Sequence, residues 1–439
     1  MTSLRDELSS LLGRSRSEFD ASIKVRVAQD RVDALTRLCR ALLRSSTLCL
    51  VDGAVCFFNG KIYAPVGMDE ARAALSNLLI DEGASPTDVR KMGDMPFSVI
   101  FEKKKATSEA IAFTNCIYDL RAGVSREFGP QWVVTSLLPY EFKASARCKK
   151  FGKFLSEVLP DEKEREAMME FFSLAYVDRR EVSVEKMALF IGGGANGKSV
   201  VFEVIKAVLG EDAVSVLDPQ QLADEKMVPY LKGKRLNFSP DVRKSAAFES
   251  ALKALASGQK VTGRKIFCDA EQIAAPPLAF ALNEMPPMRD TTEGFFRRLL
   301  IFPFDETIPE EKQNKHLAAD IIRDELPGIF NYLMLCRSSL KERGYEFDIS
   351  TKMRSRLAAL RVEARADKAP VRTFLEGRGL SPTPAYPGQM PVSITQGEIV
   401  LGLRGAVSAS AVTKELSRYG VEVRRGHEIR TYLVYPIPK

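Results

Sequence analysis

The chain has 439 residues, 45% hydrophobic and 28% charged, with a formal charge of +7. That length allows two to four domains with separate cores, and the composition excludes a disordered or collagen-like chain. No apolar run is long enough to cross a bilayer, and the opening "MTSLRDELSSLLGRSRSE" is charged throughout, so neither a membrane span nor a signal peptide is expected and a reducing cytoplasm is. Cys39, Cys49, Cys56, Cys116, Cys148, Cys268 and Cys336 are scattered, never in C-x-x-C, which argues against a disulfide framework or a zinc site. With only His316 and His427 present, catalysis would fall to Lys, Arg, Asp, Glu and backbone groups.

Residues 1 to about 45 read as helical, with Leu35, Leu38, Cys39 and Leu42 on one face and Arg31, Arg37, Arg40 and Arg44 largely elsewhere. That basic face is either solvated or a nucleic-acid contact. Short strands come next in "LCLVDG" and "VCFFNGKIYAPV", with an Asn-Gly turn signal, then a helix in "MDEARAALSNLLI". Residues 1–110 are thus expected to form a small α+β domain. Residues 111–180 pass through "VVTSLLPYEF" into the helical "CKKFGKFLSEVLPDEKEREAMMEFFSLAYV", a domain that leads directly into the apolar run from Met187 to Ile191.

From residue 181 to about 305 short apolar strands alternate with helices, the pattern of an α/β nucleotide-binding domain with a largely parallel sheet. Within it, "LFIGGGANGKSVVFEVI" fits G-x-x-x-x-G-K-S/T from Gly192 to Ser199, after an apolar strand and before a helix-periodic run that Gly210 ends. A strand, a glycine-rich turn and a helix N-terminus together make an anion site, because converging backbone N–H groups and the helix dipole favour phosphate. Lys198 would pair with the β- and γ-phosphates of ATP, and the Ser199 hydroxyl would hold Mg²⁺. In "GKRLNFSPDV" Asp241 stands just past a strand, either as a metal carboxylate or as part of an ordinary Ser-Pro-Asp turn. Asn283 ends the buried-type strand of "PLAFALNEMP", where an amide could meet a phosphate or position water, or simply form a turn. Arg297 and Arg298 precede the strand of "GFFRRLLIFPF", either solvated or presented to a neighbouring copy's phosphate.

Helices dominate from Pro309 to about Glu363, and "SPTPAYPGQMPVS" reads as a linker or long loop. Residues 361–439 hold 12 Lys and Arg against 7 Asp and Glu, so most of the excess charge sits in the last fifth of the chain, as a polyanion-binding part would have it. There "SASAVTKELSRYG" signals a helix with Val412, Leu416 and Tyr419 on one face, and "VEVRRGHEIRTYLVYPI" two strands around a basic turn. Helix then basic hairpin is the layout of a winged helix, in which Lys414, Ser417 and Arg418 would face a groove and Arg424, Arg425, His427 and Arg430 would meet phosphates. The alternative is a packing module whose arginines face solvent.

Together "GGGANGKS", "GKRLNFSPD", "LKALASGQKVTGRKIF", "LAFALNEMP" and "GFFRRLLIFPF", in that order, resemble the motifs of superfamily 3 helicases, specifically the AAA+-like group of phage, plasmid and poxvirus-type primase-helicases. "FTNCIYDLRAG", "TSLLPYEF" and "ELPGIFNYLMLC" resemble the segments flanking that core. The resemblance covers roughly residues 45–345. It implies a P-loop core over 181–345 and a collar-like domain over 111–180, while the helix and basic hairpin read above make 346–439 a winged-helix-like domain. It also implies ATP held by Gly192, Gly193, Gly194, Ala195, Asn196, Gly197, Lys198, Ser199 and Val200. Asp241 would be the catalytic or metal carboxylate, Asn283 a sensor, and Arg298 or Arg297 a finger acting on a neighbour. The same likeness implies a hexameric ring with single-stranded DNA in its channel, with Arg264 and Lys265 of a hairpin as DNA contacts, unless they form a solvated strand edge.

Two departures bear on hydrolysis. Asp241 stands where the group usually has Glu, and Gln259 where an acidic residue is common. The first 110 residues are shorter than the primase often fused upstream, so a separate primase or replisome partner is expected. The function expected is an ATP-dependent, ring-forming DNA helicase for replication of a mobile element or virus. Duplex origin DNA at the last domain is a further expected partner. The rival reading is an initiator or DNA-binding scaffold that uses ATP to assemble, with weak hydrolysis and little unwinding. A small-molecule kinase on the same loop would leave the arginine pair and basic tail unexplained.

Overall fold

The structure is a computed structural model, and it describes residues 38–39, 42, 48–81, 83–179, 181–240, 242, 260–264, 270–284, 293–368, 370–385, 389–403, 407–417, 419, 421, 423–425 and 430–437. Strands Leu48–Val51 (β1), Ala54–Phe58 (β2) and Tyr63–Pro65 (β3) form an antiparallel meander, and Glu102–Lys104 (β4) adds to β1 in parallel, giving the order β3-β2-β1-β4. The β1–β2 turn is Asp52–Gly53, both left-handed with φ of 47° and 91°, the two-residue turn that suits the twist of paired strands. Asn59–Gly60 opens the next turn, where the Asn59 side chain accepts from the N–H groups of Lys61 and Ile62. Helices Met68–Asp81 (α1) and Pro86–Asp94 (α2) bury Ala71, Leu75, Leu79 and Met92 against Leu48, Leu50 and Val55.

A second meander, Ala110–Ala112 (β5), Ile117–Asp119 (β6) and Val124–Arg126 (β7), precedes helices Lys149–Val158 (α3) and Glu162–Ser173 (α4). The helices were legible as amphipathic runs; three-residue strands are too short to show a period.

The centre is a five-stranded parallel sheet built from Met187–Ile191 (β8), Val214–Ser215 (β9), Leu236–Ser239 (β10), Leu278–Leu282 (β13) and Leu299–Pro303 (β14), in the order β14-β8-β13-β10-β9. Lys260–Gly263 (β11) and Glu271–Ala274 (β12) form a separate antiparallel hairpin before β13. Both faces of the sheet are covered, so its strands read as unbroken apolar runs while their side chains still alternate. Ala188, Phe190, Ala279, Ala281, Leu300 and Phe302 face one core, shared with α3, α4, Lys198–Leu209 (α5) and Leu317–Glu342 (α6). Met187, Leu189, Leu278, Phe280, Leu282, Leu299 and Ile301 face another, closed by Phe295, Phe296 and, from helix Thr351–Lys368 (α7), Leu360.

The last part packs helices Pro370–Gly377 (α8), Gln396–Gly402 (α9) and Ala409–Ser417 (α10) on a small sheet. There Arg430–Pro436 (β18) pairs antiparallel with Leu380–Ser381 (β15), Val392–Thr395 (β16) and Val423–Arg425 (β17). The expected linker holds no regular element from residue 382 to 391 within its described residues, and Gln389 donates to the Pro436 carbonyl. Among the described residues no helix is long and apolar enough to cross a membrane.

Candidate nucleotide site

After β8 the chain departs to β9 at one edge of the sheet, while β14 lies on its other side, so the order reverses at the carboxyl end of β8. In open parallel sheets that crevice is where ligands bind. Residues 192–197 fill it as a turn from β8 into α5. Two glycines there are required by space. A Cβ on Gly192 would lie 2.1 Å from the Phe304 carbonyl oxygen, and one on Gly197, whose φ is 83°, would lie 2.8 Å from Phe154 and Val158. Gly193, Gly194 and Ala195 are exposed, and Ala195 holds a φ of 56°, a strained value for a residue with a Cβ. Gly197 is the N-cap of α5 and supplies no side-chain oxygen to its first N–H groups, an arrangement that suits an anion.

The loop is tied to its neighbours through backbone. Gly192 N–H donates to Leu282 O at 3.1 Å, Phe304 N–H to Ile191 O at 2.7 Å and Ile308 N–H to Ala195 O at 2.8 Å. The buried Asn196 carboxamide donates to Gly193 O at 2.6 Å and to Phe304 O at 3.0 Å, so this side chain shapes the loop. Lys198 folds over it, with Nζ donating to Gly192 O at 2.7 Å, Gly193 O at 3.0 Å and Asn196 Oδ1 at 2.9 Å. Burial lowers the Lys198 ammonium below the ordinary lysine value. Ser199 is exposed and Val200 half-buried in the first turn of α5.

A cleft of about 460 Å³ opens beside the loop, lined among others by Gly192, Gly193, Asn283, Asp305 and Arg356. Asn283 follows β13, which pairs with β8 through Leu282 and Ile191, so its exposed amide stands next to the glycine loop. Asp305 and Arg356 were not singled out in the sequence. Asp305 follows the β14 run directly and had that positional signal; Arg356 lies in a long helix and had none. Asp241 and Gln259 lie outside the described residues, as do Lys265, Arg418 and His427.

Arg297 and Arg298 stand at the other end of the sheet, just before β14. Both meet Glu185, which precedes β8, at 2.7 Å and 3.1 Å respectively. Arg298 also donates to the Gly294 carbonyl and its side chain is 15% exposed, whereas that of Arg297 is 63% exposed. Lys186 Nζ donates to Arg297 O at 2.6 Å. Arg264 is exposed where the chain leaves β11, its N–H on Glu225 O at 3.0 Å. In the last part, Lys414 and Ser417 are exposed on α10, and Arg430 Nη1 donates to Thr413 Oγ1 at 3.3 Å, which brings β18 to that helix. The backbone of Arg424 and Arg425 lies in β17.

Residues 84–160, from α2 through α3, match a family model described as D5 N terminal like. Over 207 residues the chain is 26% identical to a putative helicase, L207/L206, of Acanthamoeba polyphaga mimivirus; the match covers 44% of this chain and 21% of that protein. The chain therefore matches about a fifth of that relative's length. Among solved structures, an apo form of the NrS-1 C-terminal region aligns with a TM-score of 0.50 at 11% identity, covering 89% of this chain and 96% of that one. A second apo structure of the same region gives 0.49 at 12% identity. At such identity the likeness is one of fold.

Proposed function

We propose that this protein is an ATP-driven DNA helicase of the superfamily 3 type, working in replication as a ring of identical copies. The observation that carries the reading is the glycine loop at the reversal point of the parallel sheet, with Lys198 inside it and Asn283 beside it. Likeness to a putative viral helicase and to the D5 N terminal family supports the same choice.

The residues suit a triphosphate. Neutral carbonyls hold Lys198, and a phosphate is a stronger acceptor for its charge-assisted hydrogen bonds, so the ammonium would transfer to ATP. Ser199 and Asp241 would hold Mg²⁺, which neutralises phosphate charge when bound. Asn283 would contact the terminal phosphate or orient water. The five-residue strands set the two ends of the sheet roughly 15 Å apart, so Arg297 and Arg298 do not reach their own loop. Their task is on an adjacent copy, and Arg297, the more exposed, is the one to present. Arg264 and Lys265 would track single-stranded DNA. The last part would be a winged helix, with Lys414 of α10 and Arg430 of β18 meeting duplex phosphates, and with Arg418, Arg424 and Arg425 as further candidates from the sequence.

The test is ATP turnover with and without single-stranded DNA, alongside strand displacement, for the wild type and Lys198→Ala. Turnover should fall at least about a hundredfold in the variant with its circular dichroism unchanged. Undiminished turnover in Lys198→Ala would remove the enzyme reading. A wild type that forms ATP-dependent assemblies on DNA yet displaces no strand would make it an assembly factor.

A further inference from the structure

The cleft beside the glycine loop has a wall that comes from far along the chain. Helix α7 brings Arg356, Ala359 and Leu360 to it, opposite Gly192, Gly193 and Asn283. Leu360, 5% exposed, packs in the core under β14, and it lies one turn beyond Arg356, so the arginine stands on a fixed helix face. Asp305 shares the cleft. Its carboxylate takes Arg356 Nη2 on both oxygens, at 3.1 Å and 3.0 Å, and Lys352 Nζ at 3.0 Å. The segment carrying Asp305 is itself bound to the loop, through Phe304 O to Asn196 and Ile308 N to Ala195.

We propose that Arg356 is a phosphate-binding residue of the same chain's nucleotide site, and that a nucleoside triphosphate exchanges with Asp305 as its partner. This rests on the nucleotide reading above and adds to it a cation from α7. Asp305 and Arg356 are 37% and 55% exposed at the side chain, so their ion pair is screened and weak enough to exchange. A polyphosphate carries more charge than one carboxylate and offers the guanidinium the same two-oxygen geometry. Burial acts to raise the Asp305 carboxyl, but hydrogen bonds from Lys352 and Arg356 outweigh it and hold it below the ordinary aspartate value, so it stays an anion that competes with phosphate. The exchange would loosen α7 from Asp305 and tie it to the nucleotide, which couples the helix leading into the last part of the chain to the occupant of the cleft.

Two variants that break the same ion pair separate this role from a merely structural one. Binding of ATP and ADP is measured by calorimetry for the full chain, Arg356→Gln and Asp305→Asn, with thermal melts to compare folding. Arg356→Gln should weaken ATP about tenfold and ADP about threefold or less, while Asp305→Asn should tighten ATP by about threefold because a competing anion is gone. ATP affinity unchanged in Arg356→Gln, or lowered alike in both variants, overturns the role of Arg356 and leaves the nucleotide site standing. A wild-type chain that binds neither nucleotide overturns both readings.

Discussion

At the carboxyl ends of β8, β13 and β14 the polar groups line one cleft, whereas at the amino ends of the same strands they hold one another. Lys198 lies on loop carbonyls and Arg356 on a half-exposed aspartate, partners that a phosphate can replace. Arg297, Arg298 and Lys186 instead form a cluster around Glu185 and the Arg297 carbonyl. On the function proposed above, one end receives an anion and the other is presented to a neighbouring copy. A single parallel sheet serves both needs because its strands all point the same way, with each end made of loops free to vary.

The two ends can be separated between copies. Lys198→Ala and Arg297→Ala should each lower ATP turnover by about a thousandfold. Mixed in equal amounts they should recover a measurable part of it, because some interfaces then join an intact loop to an intact arginine. A mixture no more active than its components would mean that the amino end does not serve another copy's cleft.

The next effect is one of space. Gly192→Val should cost about 3 kcal/mol and abolish ATP binding, since its Cβ would meet the Phe304 carbonyl at 2.1 Å and Asn196 Nδ2 at 2.5 Å. Gly193→Ala, with nothing within 4 Å of the new methyl, should melt with the wild type. Equal melting of both variants would show the loop to be more yielding than its contacts suggest.

A smaller effect concerns DNA. Arg264→Ala should weaken single-stranded DNA binding severalfold and lower the slope of log affinity against log salt by about one, with ATP affinity unchanged. An unchanged salt slope would leave Arg264 a solvated hairpin residue.

Much of this frame was legible because its signals are local. The glycine loop is a contiguous motif, and β8, β13 and β14 are apolar runs that their burial on both faces requires. The terminal helix was read from Val412 and Leu416, both fully buried, and the β17–β18 pair from strand-like runs on either side of an Arg-Gly-His turn. What escaped was pairing at a distance. Glu185 and Arg297 are 112 residues apart, and Asp305 and Arg356 are 51 apart. No pattern in a strand or helix announces which surface carboxylate a remote arginine will meet. Asp305 sits just past a strand end, as Asn283 does, but its partner Arg356 lies on a helix that no local pattern links to that strand.

The least of the expected effects tests whether the amino end is held by charge. Burial acts to raise the Glu185 carboxyl, but the hydrogen bond from Arg297 and the charge of Arg298 outweigh it, so it titrates below the ordinary glutamate range. The unfolded chain, with that carboxyl near pH ~4.3, then binds more protons than the folded one as acid is added. The stabilisation from Glu185 is therefore complete above about pH 4.3 and disappears as pH falls through its lower folded value. Because the side chain is 34% exposed, the whole effect should not exceed about 1 kcal/mol. Melting curves of the wild type and Glu185→Gln should differ slightly at neutral pH and converge below about pH 4. A gap that held constant down to pH ~3 would mean that Glu185 contributes by packing, and the contrast between an end that receives charge and an end that balances its own would fail.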